Sequence, residues 1–185
     1  MSLKFALLGL LSMKPASGYD IKRTIERSIY FIWNATSPQI YNTLRKLRED
    51  GLITSESFPQ QRKPDKQIHT ISSSGQEALN EFVSEPIRSS VTRNEVLLRI
   101  FFGNFADKES MRRELQSYLS RIRNERAFLE AVEARINAHP GQNLEARMFQ
   151  LLSLRIKVAQ DRAMERELVK FCKTDFVKPA RTKKT

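Results

Sequence analysis

The chain has 185 residues, which is enough for one large domain or two small ones. Hydrophobic residues make up 40% of it and charged residues 29%, as in a soluble globular protein, and no apolar run approaches the ~18 residues of a membrane span. The net charge of +11 favours polyanionic partners but by itself provides only non-specific attraction. The single cysteine, Cys172, excludes an internal disulfide framework and fits a cytoplasmic protein.

Two helices are predicted before residue 30. Leucines cover most of the circumference of residues 3–13, which predicts a buried helix. A signal peptide is not favoured, because the charged region is thin and no small-residue cleavage site follows. Residues 14–18 contain a proline and a glycine and are typical of a turn. The second helix is predicted over residues 19–28.

Residues 36–51 predict a third helix with well-defined ends. Ser37 is the predicted N-cap, and Pro38 occupies the first helical position, where its missing N–H costs nothing. Gly51 closes the helix, because glycine readily adopts the left-handed conformation of a C-terminal cap. One apolar stripe follows the helical period at Ile40, Leu44 and Leu47.

The opposite face of this helix carries no acid until Glu49. Its members are Gln39, Asn42, Thr43, Arg45, Lys46 and Arg48. Gln and Asn match the edge of adenine, Arg and Lys match guanine or phosphate, and the Thr methyl suits thymine. This composition is typical of a recognition helix in the major groove of DNA. The alternative is an ordinary capped amphipathic helix, whose solvated face usually mixes Glu with Lys.

A β-hairpin is predicted after this helix. Its strands cover residues 52–58 and 67–71, and a helix over residues 74–84 follows. The predicted tip, residues 59–66, carries three cations: Arg62, Lys63 and Lys66. Three helices, a hairpin and a helix are the order of a winged helix-turn-helix, whose wing meets the phosphates of DNA. The alternative for the tip is a flexible, solvated loop.

The second half of the chain predicts long helices. A linker over residues 86–94 precedes a short apolar helix over residues 95–105. Two long helices follow, over residues 107–138 and 143–176, and the His-Pro-Gly turn between them implies an antiparallel, coiled-coil-like pair. The heptad-like seam of the first long helix, broken at Glu125, is Met111, Leu115, Tyr118, Ile122, Leu129, Val132 and Ile136.

The predicted fold is therefore mainly α with a small β-hairpin. We assign residues 1–86 to a winged helix-turn-helix domain, residues 87–177 to a helical dimerisation domain, and residues 178–185 to a disordered basic tail. The apolar stripes of the long helices exceed what one small winged domain covers, which favours a homodimer. The alternative is packing of the pair onto the N-terminal domain of the same chain.

Three motifs resemble the PadR family of bacterial transcriptional regulators. They are GYDI at residues 18–21, P-x-I-Y-x-x-L-x-x-L-x-x-x-G-L-I at residues 38–53, and K-P-D-K at residues 63–66 followed by T-I-S-x-x-G at residues 70–75. The helical pair resembles the dimerisation region of the AphA-like, virulence-activator branch.

The resemblance implies a cytoplasmic homodimer that binds double-stranded DNA at a palindromic operator. No membrane contact and no cofactor are expected. Most family members repress transcription, some respond to phenolic acids or other small aromatic effectors, and the AphA-like branch includes activators. By position, Tyr41 matches the tyrosine of the family's recognition helix.

These observations predict two kinds of DNA contact. Base readout is assigned to Gln39, Asn42, Thr43 and Lys46, near the start of the recognition helix. Contacts to phosphates are assigned to Tyr41, Arg45, Arg48, Arg62, Lys63 and Lys66.

A candidate ligand pocket is the aromatic cluster of Tyr30, Phe31 and Trp33, together with the set Phe101, Phe102 and Phe105. The alternative is that these aromatics form the core between the domains. Two histidines, one cysteine and no glycine-rich phosphate loop leave no catalytic or metal-binding constellation, so an enzyme is not expected. The remaining rivals are an effector-gated sensor and an adaptor or RNA-binding winged helix.

Overall fold

The computed structural model describes residues 3–59, 65–87, 94–138 and 143–174. The chain divides into two compact units, Met1–Ser89 and Ser90–Thr185. The elements of the first unit are α1 (Leu3–Met13), β1 (Ala16–Ser17), α2 (Gly18–Thr24), a π-helical turn (Ile25–Ile29), α3 (Ser37–Glu49), β2 (Ile53–Phe58), β3 (Lys66–Ile71) and α4 (Ser73–Ser84). Those of the second unit are α5 (Glu95–Phe101), a 3₁₀ turn (Gly103–Phe105), α6 (Lys108–Asn137) and α7 (Leu144–Thr174).

The core of the first unit holds α3 against α1 and α2. The predicted stripe of α3 is confirmed, because Ile40, Leu44 and Leu47 are all buried. They pack with leucines of α1 and with Ile21 and Ile25. Each fully buried side chain of this size contributes about 1.5–3 kcal/mol relative to exposure. The opposite face of α3 is therefore held outward.

The N-terminus of α3 differs from the prediction by one residue. Thr36, not Ser37, is the N-cap, with the extended backbone that a cap requires. Its N–H donates to Oε1 of Gln39 at 2.9 Å, which is half of a capping box. Pro38 is thus the second helical residue, still in the first turn. Gly51 has a φ of +70°, so its predicted left-handed conformation is confirmed.

The sheet has three antiparallel strands in the order β1-β3-β2, so it is larger than the predicted hairpin. Strands β2 and β3 form that hairpin, with Ser55 opposite His69. Strand β1 pairs with the other edge of β3, with Ser17 opposite Ile68. The residues of β1 were predicted to lie in a turn, because two residues are too few to show the alternation of a strand.

In the second unit, α6 and α7 are antiparallel, as predicted. Residues later in α6 face residues earlier in α7: Arg123 pairs with Glu165 at 2.7 Å, whereas Glu133 pairs with Arg155 at 3.3 Å. Asp107 caps α6 by accepting a hydrogen bond from the Ser110 N–H at 2.9 Å. The short apolar helix ends at Phe101 rather than at residue 105, because a 3₁₀ turn follows.

The seam between α6 and α7 is apolar at both ends and ionic in the middle. Its buried side chains are Leu115, Leu119, Ile122, Leu129 and Val132 of α6 with Leu154, Val158 and Leu168 of α7. Leu119 was missing from the predicted seam. Glu125, which interrupts the seam, lies 3.2 Å from Lys157, and Lys157 in turn lies 2.6 Å from buried Asp161. The interruption is therefore an ion-pair layer. Half-buried Cys172 packs against the apolar end near Leu168.

Some predictions concern parts of the chain outside the described residues. These are most of the linker, the turn between the long helices and the basic tail. Within the described ranges, no helix combines the length and the apolar character needed to span a membrane.

Candidate nucleic-acid interface

The outer face of α3 presents the residues that sequence analysis assigned to DNA. Thr43 is half-buried, and the other predicted residues of α3 are exposed: Gln39, Tyr41, Asn42, Arg45, Lys46 and Arg48. They lie opposite the buried stripe of the same helix. The structure thus brings them together on one surface, whereas their contacts to bases or phosphates stay predictions.

Two of the four predicted base readers already use polar atoms within the helix. Gln39 Oε1 accepts hydrogen bonds from both the N–H and the hydroxyl of Thr36. The Thr43 hydroxyl donates to the carbonyl oxygen of Gln39 at 2.8 Å. The capping role of Gln39 was not predicted, although Thr followed by Gln three residues later is a recognised signal for it.

Asn42 and Lys46 have their polar groups available. Both side chains are exposed, and neither makes a hydrogen bond or ion pair with another residue in the described part of the chain. Positions four apart lie on one face of a helix, so the two side chains are neighbours. An amide and an ammonium side by side are able to read adjacent base edges in the major groove.

Tyr41 packs against the start of α2. Its ring lies on Gly18, where a Cβ atom would stand only 2.5 Å from the ring carbon Cε1. The Tyr41 side chain nevertheless remains 53% exposed. The ring is therefore supported on one side and open to solvent on the other.

Lys66 does not lie in the tip of the hairpin, where it was predicted. It is the first residue of β3, opposite Phe58, and its Nζ is 3.1 Å from Oδ2 of Asp20. Asp20 also accepts a hydrogen bond from the Ser17 hydroxyl at 2.6 Å. The pKa of Asp20 is below its usual value. The hydrogen bond from Ser17 is the largest cause, and nearby Lys66 adds to it, whereas desolvation acts in the opposite direction. The other predicted wing cations, Arg62 and Lys63, lie outside the described residues.

His69 is a buried polar residue of the sheet. It is 6% exposed in the middle of β3, and its Nδ1 lies 2.7 Å from the Ser55 hydroxyl. Burial, and then the positive charge of Arg48, lower the pKa of His69. The imidazole is therefore neutral near pH 7 and acts as a buried hydrogen-bonding group of the sheet.

The predicted aromatic pocket divides between the two units. Tyr30, Phe31 and Trp33 follow the π-helical turn of the first unit, with Tyr30 exposed and the other two half-buried. Phe102 and Phe105 instead line a cavity of about 700 Å³ within the second unit. A site that joins these two sets stays a prediction. Among the residues that the structure describes, no group of three or more His, Cys, Asp or Glu is placed to hold a metal ion.

Two family models match this chain, one for each unit. Residues 7–81 match the "Transcriptional regulator PadR-like family", and residues 92–172 match "Virulence activator alpha C-term". The resemblance inferred from the sequence motifs is thus confirmed.

Two curated relatives are transcriptional regulators by name. The chain is 35% identical over 102 residues to the negative transcriptional regulator PadR of Bacillus subtilis, covering 54% of this chain and 56% of that protein. It is 37% identical over 87 residues to the probable transcriptional regulator Rv1176c of Mycobacterium tuberculosis, covering 47% and 46%. The chain thus spans about half the length of the curated relatives it matches.

Solved structures match nearly the whole chain. The crystal structure of smu.1604c from Streptococcus mutans is 26% identical with a TM-score of 0.82, covering 92% of this chain and 98% of that one. Bacillus subtilis PadR in complex with operator DNA is 25% identical with a TM-score of 0.75, covering 92% and 97%. The Vibrio cholerae virulence activator AphA is 25% identical with a TM-score of 0.71, covering 93% and 96%. Residues 7–81 therefore form a PadR-like transcriptional-regulator domain, and residues 92–172 form a virulence-activator C-terminal region.

Proposed function

We propose that this chain is a cytoplasmic transcriptional regulator that binds an inverted-repeat operator as a homodimer and acts as a repressor. The observation that carries the proposal is the exposed face of α3, which carries no acid before Glu49, on a winged-helix unit of the PadR-like family. The similar PadR of Bacillus subtilis forms a complex with operator DNA. We assign the chain no catalytic role and no cofactor.

On this proposal, α3 enters the major groove and β2 and β3 carry the wing. Asn42 and Lys46 supply base contacts, because their polar atoms are not engaged within the protein. Tyr41, Arg45 and Arg48 flank them and contact phosphates, which position the helix without reading sequence. Lys66 contributes less to phosphate binding than Arg62 and Lys63, because its charge is already paired with Asp20.

The homodimer is supported by two apolar patches at opposite ends of the second unit. The first, here called the proximal patch, lies at α5 and the start of α6 and comprises Leu97, Leu98, Phe101, Phe102 and Phe105. The second, the distal patch, lies on the N-terminal half of α7 and comprises Leu144, Met148, Phe149, Leu152 and Ile156. Phe105 is 82% exposed and Leu144 69%.

These two patches complement each other in a two-fold dimer. Since α6 and α7 are antiparallel, the patches are separated by most of the length of α6, roughly 40 Å. When two such units lie antiparallel about a two-fold axis, the proximal patch of each copy faces the distal patch of the other. One kind of contact, made twice, then covers both apolar surfaces. A dimer also presents two copies of α3 to two half-sites.

The test is to capture fragments of the source genome with the purified full-length protein and to measure affinity for the captured sequences. We expect a captured duplex with an inverted repeat to be bound much more tightly than random duplex or RNA. Equal affinity for all three would contradict the proposal. Whether transcription from a captured promoter falls or rises on expression of the protein separates the proposed repressor from an AphA-like activator.

An effector-gated sensor is the second candidate, favoured by the cavity in the second unit. Phe102, Phe105, Met111 and Tyr118 supply an apolar lining, and the volume of about 700 Å³ suits a small molecule. Titration with small phenolic acids distinguishes the two aromatic sites. Quenching of Trp33 fluorescence would locate binding in the first unit, whereas thermal stabilisation that Tyr118→Ala abolishes would locate it in this cavity. Failure of every compound to shift either signal would argue against the sensor.

A further inference from the structure

Gly18 leaves room for the ring of Tyr41. Beside the 2.5 Å approach to Cε1, a Cβ atom on residue 18 would stand 3.0 Å from Cζ and 3.2 Å from Cδ1 of the same ring. These three carbons form one edge of the ring, so the ring edge lies directly over the backbone of Gly18. Any residue other than glycine would displace it.

Backbone conformation does not explain this glycine. Among the described glycines, Gly51 has a positive φ angle and Gly18 does not. Residue 18 therefore has an ordinary backbone conformation that alanine also adopts. Gly75 differs, because a Cβ there would stand 2.1 Å from the backbone oxygen of Leu52 and disturb the fold itself. At Gly18 the three nearest atoms belong to one half-exposed side chain.

The start of α2 is anchored, so the ring is the part that moves. Ser17 pairs with Ile68 in the sheet and also accepts a hydrogen bond from the Asp20 N–H at 3.2 Å. Asp20 is tied in turn to Lys66 of β3. The Tyr41 hydroxyl makes no hydrogen bond with any other described residue.

We propose that Gly18 is a positioning residue for DNA binding, because it forms a seat that fixes the direction of the Tyr41 ring and hence of its hydroxyl. The proposal rests on the proposed function. A side chain that is already ordered before binding loses less conformational entropy when it meets a phosphate. Tyr41 is the residue that touches DNA, and Gly18 acts through it.

The binding test is a double-mutant cycle in the full-length protein on a captured operator duplex. We expect Gly18→Ala to weaken binding about tenfold for each half-site, the value of one hydrogen bond to a charged group. The thermal unfolding midpoint should stay within about 2 °C of the wild type, because only a half-exposed ring shifts. Gly9→Ala is the matched control, since its Cβ would meet nothing within 4 Å.

The cycle is completed by Tyr41→Ala. With the ring gone, adding Gly18→Ala should change affinity by less than about twofold, because the two substitutions act on one interaction. Unchanged affinity of Gly18→Ala in the wild-type background would overturn the proposal. The same loss in both backgrounds would overturn it too, since Gly18 would then act without Tyr41.

A measurement without DNA separates this inference from the proposed function. In NMR spectra of protein with ¹³C-labelled tyrosine rings, the Tyr41 signals, assigned with Tyr41→Phe, should shift in Gly18→Ala and not in Gly9→Ala. Unmoved signals in Gly18→Ala would contradict the seat. If the wild type captures no DNA, the proposed function fails, while the spectra still test the contact.

Discussion

At the scale of single residues, Asn42 is the clearest candidate for base readout, because its exposed amide is not engaged elsewhere. Asn42→Ala should cost about 1–3 kcal/mol of binding free energy at one base pair of each half-site. Affinities for the operator and for duplexes changed at single positions test this. Asn124→Ala, an exposed asparagine of α6, is the matched control. If Asn42→Ala weakens specific and random DNA equally, Asn42 does not read a base.

The lowered pKa of His69 should make the free energy of unfolding depend on pH. Its pKa in the folded protein lies below the usual 6.5, so the unfolded chain binds the proton more readily. The free energy of unfolding is therefore fully retained above about pH 7 and falls as pH drops through 6.5 toward the lower folded value. Denaturant unfolding of wild type and His69→Gln between about pH 7.5 and about pH 5 measures the difference. Equal pH dependence in both proteins would contradict the assignment.

At the scale of elements, the ion-pair layer between α6 and α7 is expected to depend on Lys157. This ammonium lies between Glu125 and Asp161, and 25% of its side chain is exposed. Burial tends to lower the pKa of Lys157, but the bonds to the two acids outweigh it and raise the pKa.

Lys157→Met should therefore lower the free energy of unfolding by about 3 kcal/mol, because it leaves two acids without their cation. Glu125→Gln should cost less, since Asp161 still pairs with Lys157. Urea unfolding of both variants at equal protein concentration gives the comparison. Arg166→Met, which removes an exposed charge of α7 paired with Glu167, is the control. A Lys157→Met protein as stable as this control would show that the layer contributes little.

At the scale of the whole molecule, the two apolar patches predict which substitutions dissociate the proposed dimer. Leu152 lies in the distal patch and is 54% exposed in the single chain. Leu152→Glu places a charge in the apolar interface, so the protein should become monomeric while its helical content is retained. Light scattering after size exclusion measures the mass. Gln160→Glu, an exposed position outside the patch, should leave the dimer intact. A dimeric Leu152→Glu protein would place the interface elsewhere.

The two compact units contribute different parts of the proposed regulator. The first unit positions the recognition surface, whereas the second carries the apolar patches and the cavity. Loss of the dimer should thus weaken operator binding through the lost second half-site, even though α3 remains folded.

Local sequence signals account for most of the helices and for the outward face of α3. The spacing of Ile40, Leu44 and Leu47 determines which side of that helix is buried, because a helix with one apolar stripe has one stable orientation against a core. Asp107 and Gly51 define helix ends through hydrogen bonding and backbone freedom within a few residues. One of the motifs that resemble the PadR family, residues 38–53, covers most of α3 and includes Gly51.

Contacts between residues distant in the sequence were decided only by the tertiary structure. Strand β1 exists because β3 offers an open edge to two residues that have no strand pattern of their own. Lys66 pairs with Asp20, and Tyr41 lies on Gly18, because folding brings α2 beside α3 and β3. The sequence by itself thus determined which surface α3 presents, since hydrophobic period and helix caps act over a few residues. Which side chains on that surface are already occupied depends on packing partners that no local pattern specifies.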